Sequence, residues 1–441
     1  MVCLNSTLIN FSEKDLFFSV FENYNNDFEY TSKGVLRRIT PPKCLNCDTQ
    51  MNHNGYNIYT KKNLGSVKIG RYICSVCGEL DEENREFWEE MKQEFFSALN
   101  PIYQILRTHH VSYEGISQVM EHIFPRGKDT VFRAFTDSVE EAVVPPLEVS
   151  HIVHYDEQFP KRGRSQKYRL TLLDNFTAQP IADELYDKKD PDTIKQFLGR
   201  HLDPNEVTFV VTDLYSSYSS VLEDYFGNRV LHQWCLLHLN KRIVNDFPKN
   251  TTFVQELTKY RLLNIFYNRD PELEYLKQKV TEEEKFKNEN TEDEYKEWLK
   301  KEMKSFKKFV HDRKKERRRN DKTLPQRPYF EARETFTNLM DEIDSFDKTI
   351  QKRLRKIEKH WEKFTIFYFV EGAPATNNLL ENYYSTSLKT HRKKQLRTDR
   401  GITNHMKLSA MKRAELIINS GKTILQMFLK FTPFLNLDTK N

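Results

Sequence analysis

Three acidic residues in separate segments have the chemistry of a divalent metal site. Asp156 lies at the end of the apolar run HIVHYDEQ, and Asp213 ends the run VTFVVTD. Glu381 lies in TNNLLENYYSTSLKTHRKK, where we predict that a polar and then basic helix begins. Carboxylates at strand ends and on a helix can converge on a pair of hard cations, which stabilise both oxygens of a phosphoryl displacement. The pattern therefore indicates phosphodiester chemistry.

Each carboxylate also has a plainer interpretation. Asp156 could cap a strand while its neighbour Glu157 supplies the ligand, and Asp213 could be a turn or helix-capping residue. Glu381 could be one of many solvated helix glutamates. We favour Asp213 as a ligand because it closes a run of apolar and β-branched residues, and Glu381 because two asparagines precede it and a basic helix follows. The preference for Asp156 over Glu157 rests on the family resemblance of YDEQ given below.

Four cysteines form a second candidate metal site. They occur as two C-x-x-C pairs on either side of a stretch with alternating polar and apolar residues, namely Cys44, Cys47, Cys74 and Cys77. Each pair can present two thiolates to one tetrahedral Zn²⁺, so we predict a zinc ribbon with structural zinc. Disulfides and unpaired thiols are the alternatives, and a reducing compartment disfavours disulfides.

The composition limits the broad class of protein. The 441 residues carry 69 basic and 64 acidic side chains, so the net charge of +5 says little about partners. The basic residues are concentrated in the runs 300–319 and 389–400. Clustered Lys and Arg can neutralise phosphates, although a solvated helix face is the alternative. No apolar run approaches a membrane span and no secretion signal is evident, so we expect a cytoplasmic, nucleoid-associated protein without a membrane partner.

The elements that must position these residues indicate a multidomain α+β chain. Apolar positions at helical spacing predict helices over 84–145. Two of these helices are separated by the short break PRGKD, and they could form either a DNA-binding helix-turn-helix or an ordinary helical hairpin. In the first case Lys128, Thr130 and Arg133 face DNA. Residues 150–245 alternate in the order β-β-β-α-β-α-β-α. This order matches an RNase H-like fold, in which the first and fourth strands lie side by side and bring their aspartates together. Residues 246–365 are predicted to be a long all-helical insertion.

The catalytic segments resemble DDE transposases of bacterial or archaeal insertion sequences, in the group similar to Mutator-type transposases. The resemblance covers about residues 150–415 and rests on YDEQ, VVTDLYSSY, HQWCLLHLNK and TNNLLENYYSTSLKTHRKK. It implies this division of the chain: an N-terminal segment 1–40, a zinc ribbon 41–80, a DNA-binding helical domain 84–145, an RNase H-like α/β catalytic core 150–245, a helical insertion 246–365, completion of the core 366–415 and a tail 416–441.

The resemblance also implies roles for individual residues. Asp156, Asp213 and Glu381 would hold two Mg²⁺ or Mn²⁺ ions per site and act as the catalytic residues. Cys235, His238 and Asn378 would brace them through hydrogen bonds, with plain packing as the alternative for the cysteine and histidine. The basic residues after Glu381 would hold DNA phosphates unless they form a solvated face; these are Lys389, Arg392 and Lys393.

The implied function is binding of double-stranded element ends, cleavage, and transfer of 3′ ends to target DNA, with a homodimer or larger assembly holding two ends. Two alternatives remain. One is a DNA-binding protein that has lost catalysis, and the other is an RNase H-like nuclease that acts on hybrids or junctions.

Overall fold

The first part of the chain forms a small sheet around the cysteine pairs. The computed structural model describes residues 28–61, 65–82, 99–121, 126–160, 167–388, 396 and 398–417. The strands of this sheet are β1 (Phe28–Tyr30), β2 (Val35–Arg38), β3 (Asn52–Lys61), β4 (Gly65–Ile73) and β5 (Leu80–Glu82). They follow the order β1-β2-β4-β3, and β5 also pairs with β4. The sheet therefore begins at residue 28, earlier than the predicted ribbon boundary at 41.

Three helices of the same unit share a core with a helix from the C-terminal part of the chain. They are α1 (Asn100–Thr108), α2 (Tyr113–Glu121) and α3 (Lys128–Glu141). The buried side chains of Val131 and Phe135 pack in one cluster with Leu408 and Met411 of the helix Asp399–Arg413. Accordingly, the described parts of Met1–Pro145 and Thr398–Asn441 form one compact unit and Pro146–Arg397 the other. The helix Asp399–Arg413, which lies within the segment 366–415, belongs to the first of these units. The helix predicted within 84–98 lies outside the described residues.

The second unit contains a five-stranded mixed sheet. Its strands are β6 (Ile152–Gln158), β7 (Tyr168–Asp174), β8 (Pro180–Tyr186), β9 (Phe209–Thr212) and β10 (Leu231–Trp234). The order is β10-β9-β6-β7-β8, with β6, β7 and β8 antiparallel and β6, β9 and β10 parallel. The predicted adjacency of the first and fourth strands of this segment is confirmed by the pairing of β6 with β9.

Helices cover both faces of this sheet, as the apolar residues on both sides of β6 and β9 require. Val153 and Val210 pack against α4 (Pro191–His201) and α5 (Ser217–Phe226), whereas Ile152 and Val211 face α6 (Leu236–Asn245). The N-cap of α4 is Asp190, whose carboxylate accepts the Thr193 N–H. Pro191 occupies the first helical position, where proline needs no donor, and this shifts the cap to the preceding residue.

The predicted insertion is helical, and its residues 246–365 contain no strand. Its helices are α7 (Phe253–Leu263), α8 (Asp270–Glu289), α9 (Glu292–Arg319), α10 (Tyr329–Asp341), α11 (Lys348–Lys359) and α12 (Trp361–Thr365). Part of it is continuous with the core of the sheet, since Leu262, Phe336 and Leu354 belong to the same buried cluster as Val211. The hairpin of α8 and α9 has its own cluster with Phe253, built on Leu276 and Phe306. The last element is α13 (Asn378–Ser387), which packs on Leu173 of β7.

Candidate active site

Asp156 and Asp213 lie at the same edge of the sheet because their strands are parallel and in register. His154 pairs with Val211 across β6 and β9, and each aspartate is two residues further along its own strand direction. The backbone N–H of Glu157 donates to Asp156 Oδ1 at 2.8 Å, and that of Tyr215 donates to Asp213 Oδ1 at 2.8 Å. Both carboxylates therefore have a fixed hydrogen bond to the backbone and a free oxygen edge available for a cation.

Glu381 is in the first turn of α13 and is held by groups from α6. Its Oε1 lies 2.7 Å from Lys241 Nζ and 3.6 Å from His238 Nε2. Lys241 and His238 are one turn apart on α6, so they present both nitrogens on the same side of that helix. The third carboxylate thus has a cationic partner that belongs to the protein.

The charges of Asp213 and Glu381 both act on the carboxylate of Asp156. Loss of hydration raises the pKa of Asp156 well above its usual value, and the negative charge of Asp213 raises it further. Glu381 adds a smaller contribution in the same direction. Like charges that approach each other disfavour ionisation, so the pocket favours an added cation.

The carboxylates nevertheless remain further apart than the ligands of a closed metal cage. Among the described residues, the four cysteines are the group of three or more potential ligand atoms that lie within 4.8 Å of one another, and the acidic trio does not meet that spacing. Mutual repulsion and the ion pair of Glu381 with Lys241 both favour this open arrangement.

The neighbouring Glu157 points to the opposite face of β6, where it is engaged by other groups. The Tyr155 hydroxyl donates to Glu157 Oε1 at 3.0 Å, and the Tyr218 hydroxyl donates to Oε2. Lys189 Nζ lies 3.7 Å from the same carboxylate. Since side chains alternate along a strand, Glu157 and Asp156 lie on opposite faces of β6. This geometry favours Asp156 over Glu157 as the candidate ligand.

Asn377 connects β6, the start of α6 and the start of α13. Its Nδ2 donates to the Tyr155 carbonyl at 3.1 Å, and its Oδ1 lies 2.8 Å from His154 Nδ1, so it holds β6 directly before Asp156. Its backbone N–H donates to Cys235 Sγ at 3.1 Å. Asn378, the asparagine predicted to brace the site, is exposed, whereas its neighbour Asn377 is fully buried. Helix α13 begins at these two asparagines, and only the side chain of Asn377 points into the protein interior.

Cys235 and His238 lie at the start of α6, as the C-x-x-H spacing predicts for one helix turn. Cys235 is fully buried, and this burial raises the pKa of its thiol to about 11. A neutral thiol that accepts a backbone N–H stabilises the junction and has no free lone pair directed at a cation. His238 Nδ1 is buried without a hydrogen-bond partner among the described residues. Burial and then Lys241 lower the pKa of this imidazole, so it is neutral beside Glu381.

A buried arginine that sequence reasoning missed fixes α13 onto the sheet. Arg169 of β7 forms a bidentate pair with Asp183 of β8, at 2.7 and 2.6 Å. Its guanidinium also donates to Ser387 at 2.9 Å and lies over the Tyr384 ring at 5.0 Å. The Tyr384 hydroxyl in turn donates to the Asp156 carbonyl at 2.8 Å. The chain of contacts therefore sets the position of α13, and with it that of Glu381.

The four cysteines form a site that could hold zinc. Their Sγ atoms lie 3.3 to 3.5 Å apart in the pairs 44–77, 44–47, 47–74 and 47–77. A tetrahedral ion with bonds of about 2.3 Å requires about 3.8 Å between sulfurs, whereas a disulfide requires about 2.05 Å. Asp48 and Gly78 adopt positive φ at equivalent positions after the two pairs, which closes two similar turns. Backbone N–H groups of Cys77 and Val76 lower the pKa of Cys74 to about 6, which favours the thiolate that zinc needs.

Three of the six residues that we predict to contact DNA lie among the described residues. Lys128 and Arg133 of α3 are exposed and Thr130 is half-buried. Lys389, Arg392 and Lys393 lie outside the described residues. None of the described helices is long and apolar enough to cross a membrane.

These features define a mixed α+β protein with a four-cysteine group suited to zinc and a separate acidic pocket on a mixed sheet. No family model matches the chain. It is similar to the "Insertion element ISM1 uncharacterized 48.3 kDa protein" of Methanobrevibacter smithii, with 24% identity over 242 residues. The match covers 51% of this chain and 55% of the relative, so the chain spans about half the length of the relative. The similarity supports a relation to insertion-element proteins.

Proposed function

We propose that the chain is a DDE transposase with an RNase H-like catalytic core. The observation that carries the proposal is the convergence of Asp156, Asp213 and Glu381, whose charges act on one another. The sheet order β10-β9-β6-β7-β8 supports it, because its three antiparallel strands followed by two parallel ones agree with the RNase H-like order expected from the sequence. The similarity to an insertion-element protein supports the same class.

The three carboxylates would hold two Mg²⁺ or Mn²⁺ ions. Such ions, when bound, lower the pKa of an attacking water or 3′-hydroxyl and stabilise the leaving oxygen of the phosphodiester. Oxygen ligands from two aspartates and one glutamate suit these hard cations. The chain itself positions the ligands: Asn377 fixes the peptide before Asp156, and Arg169 fixes α13 through Ser387 and Tyr384.

Lys241 neutralises Glu381 while no cation is present. The ion pair of 2.7 Å is half-exposed, so its exchange for a metal ligand costs little. We infer that Glu381 changes partner when the ions bind. The three carboxylates would then move closer together around the ions.

The first unit would bind double-stranded DNA at the element ends. Exposed Lys128 and Arg133 on α3 are available for phosphate or base contacts, with Thr130 beside them. The zinc ribbon and the basic residues Lys389, Arg392 and Lys393 would add further contacts. Because two ends must be joined to one target, we expect a homodimer or larger assembly on DNA.

A cleavage assay on a duplex that contains the DNA flanking the gene tests this function. The full chain should nick the duplex in Mg²⁺ or Mn²⁺ and join 3′ ends to a plasmid, and chelation should stop both reactions. Asp213→Asn should lower the rate by about a hundredfold or more, since it removes a charge that holds the cations. Glu157→Gln is the matched control, because Glu157 faces the other side of β6, and it should cleave within a few-fold of wild type. Cleavage in chelator, or unimpaired cleavage by Asp213→Asn, would contradict the proposal.

A further inference from the structure

The longest helix of the second unit, α9, carries a row of cations along one side. At 100° per residue, six basic residues lie within about 40° of one line, and we call them the basic ridge. They are Lys296, Lys300, Lys304, Lys307, Lys314 and Arg318. From the first to the last the ridge is about 33 Å long, at 1.5 Å per residue.

The acidic residues of α9 lie away from this line. Within the same span, Glu297 is about 60° from it, while Glu302, Asp312 and Glu316 are further round the helix. Lys304 and Lys307 have no acidic residue three or four positions away in either direction. Like charges at these spacings destabilise a helix by a few tenths of a kcal/mol each. Lys304 and Lys307 in the middle of the ridge therefore have no compensating acidic neighbour along α9.

A cavity lies beside the first half of the ridge. Its volume is about 580 Å³, and its lining includes Lys296, Lys300, Lys304, Lys307 and, across from α9, Lys249. No acidic residue lines it. Leu299 and Met303 provide apolar lining, against which the lysine stems can pack.

Four of these lysines are uncompensated in the described part of the chain. Lys249, Lys300, Lys304 and Lys307 are exposed and form no ion pair or side-chain hydrogen bond with described residues. Lys296 differs, since its Nζ lies 2.8 Å from Glu292. The helix dipole accounts for cations in the last turn of α9 but not for those in its middle, because its effect fades within one turn.

We propose that the basic ridge and its cavity bind the phosphate backbone of duplex DNA away from the bond that is cut. This inference rests on the proposed function for the identity of the anion. The ridge length of about 33 Å is close to the length of one helical turn of DNA, about 34 Å. A free polyphosphate would occupy only the cavity and would leave the rest of the ridge without an anion. The lysines bind phosphate as point charges, so the contact is independent of base sequence.

The salt dependence of DNA binding tests the ridge. We compare the full-length wild type, the ridge variant Lys300→Gln/Lys304→Gln/Lys307→Gln and the control Lys301→Gln/Lys308→Gln/Lys315→Gln. The control removes the same charge from exposed lysines of the same helix, each of which has an acidic residue three or four positions away. Binding to a random-sequence 30-base-pair duplex is measured without added Mg²⁺ or Mn²⁺ over a range of salt concentrations, so that zinc stays on the four cysteines.

Loss of three phosphate contacts should reduce the slope of log K against log salt by about 2.7 in the ridge variant, and by less than about 1 in the control. Equal slopes for both variants, or no duplex binding by wild type, would overturn the ridge proposal. A loss of affinity for poly-glutamate with an unchanged DNA slope would overturn it as well, in favour of an acidic protein partner. Because the proposed cleavage requires added Mg²⁺ or Mn²⁺, these outcomes are independent of the metal-dependent cutting that tests the proposed function.

Discussion

At the scale of single residues, the buried amide of Asn377 holds the peptide directly before Asp156. Asp156, Asp213 and Glu381 were recognisable because they stand at the ends of apolar runs or at a helix start. The sequence does not show which of Asn377 and Asn378 is buried. At the start of a helix, the burial of two adjacent residues depends on the direction from which the preceding loop approaches the helix. Structure was needed to show that Asn377 is the buried one.

Asn377→Ala should lower the free energy of unfolding of the second unit by about 2–4 kcal/mol, since it leaves His154 and the Tyr155 carbonyl without their buried partner. Asn378→Ala, at the exposed neighbour, should change it by less than about 0.5 kcal/mol. Urea unfolding of both variants measures the difference. Similar values for the two would show that the buried amide does not brace the site.

Asp156 should make stability depend on pH when no cation is bound. Its pKa in the folded protein is raised, so the unfolded chain releases the proton first and stability falls as pH rises above about 4. The Asp156→Asn variant has no carboxylate to ionise at this position, so its free energy of unfolding should exceed that of wild type at pH 7.5. The free energies of unfolding of the two proteins should become similar below about pH 4. Urea unfolding in EDTA at both pH values checks this. Asp224→Asn, at an exposed carboxylate, is the control and should show no such trend.

At the scale of elements, alternation and parallel pairing made the centre of the sheet predictable. A buried β9 beside β6 follows from two apolar runs that end in aspartate. Arg169 was not predictable as a buried residue, because a charged residue in an alternating strand normally indicates the solvated side. Its partner Asp183 is on another strand, and its contact Ser387 is 218 positions away, so no local pattern contains the network.

Arg169→Ala should destabilise the second unit by about 3–5 kcal/mol, because it leaves Asp183 as an uncompensated buried charge. Arg200→Ala breaks the exposed pair with Glu184 and should cost less than about 1 kcal/mol. Chemical denaturation of the two variants gives both values. If Arg169→Ala cost no more than Arg200→Ala, the buried pair would not anchor α13.

The cysteine ribbon was predictable because its ligands come in two short, repeated spacings. The purified chain should contain about one zinc ion, as four thiolates complete one tetrahedral site. Elemental analysis of Cys74→Ser should show less than about a tenth of that zinc after dialysis. Cys235→Ser should retain it, since Cys235 is buried beside Asn377 in the other unit. Full zinc content in Cys74→Ser would contradict the assignment.

At the scale of the whole molecule, the boundaries were the least predictable feature. The strand at Val35–Arg38 pairs with the ribbon although its sequence shows no clear periodicity, and Leu408 completes a core begun near residue 100. Such pairings join segments that are distant in sequence, so neither composition nor a local sequence pattern predicts them. The helical insertion was predictable as helix, but not the part of it that shares the core of the sheet.

The central claim is that Asp156, Asp213 and Glu381 act together on divalent cations. A crystal structure of the full chain with a DNA end and Mn²⁺, with data collected at the manganese absorption edge, tests it most directly. We predict two anomalous peaks about 3.5–4 Å apart, with Asp156 and Asp213 as ligands and Glu381 released from Lys241 onto one of them. Manganese absent from this pocket while DNA is bound, or Glu381 still paired with Lys241 beside occupied ions, would contradict the account.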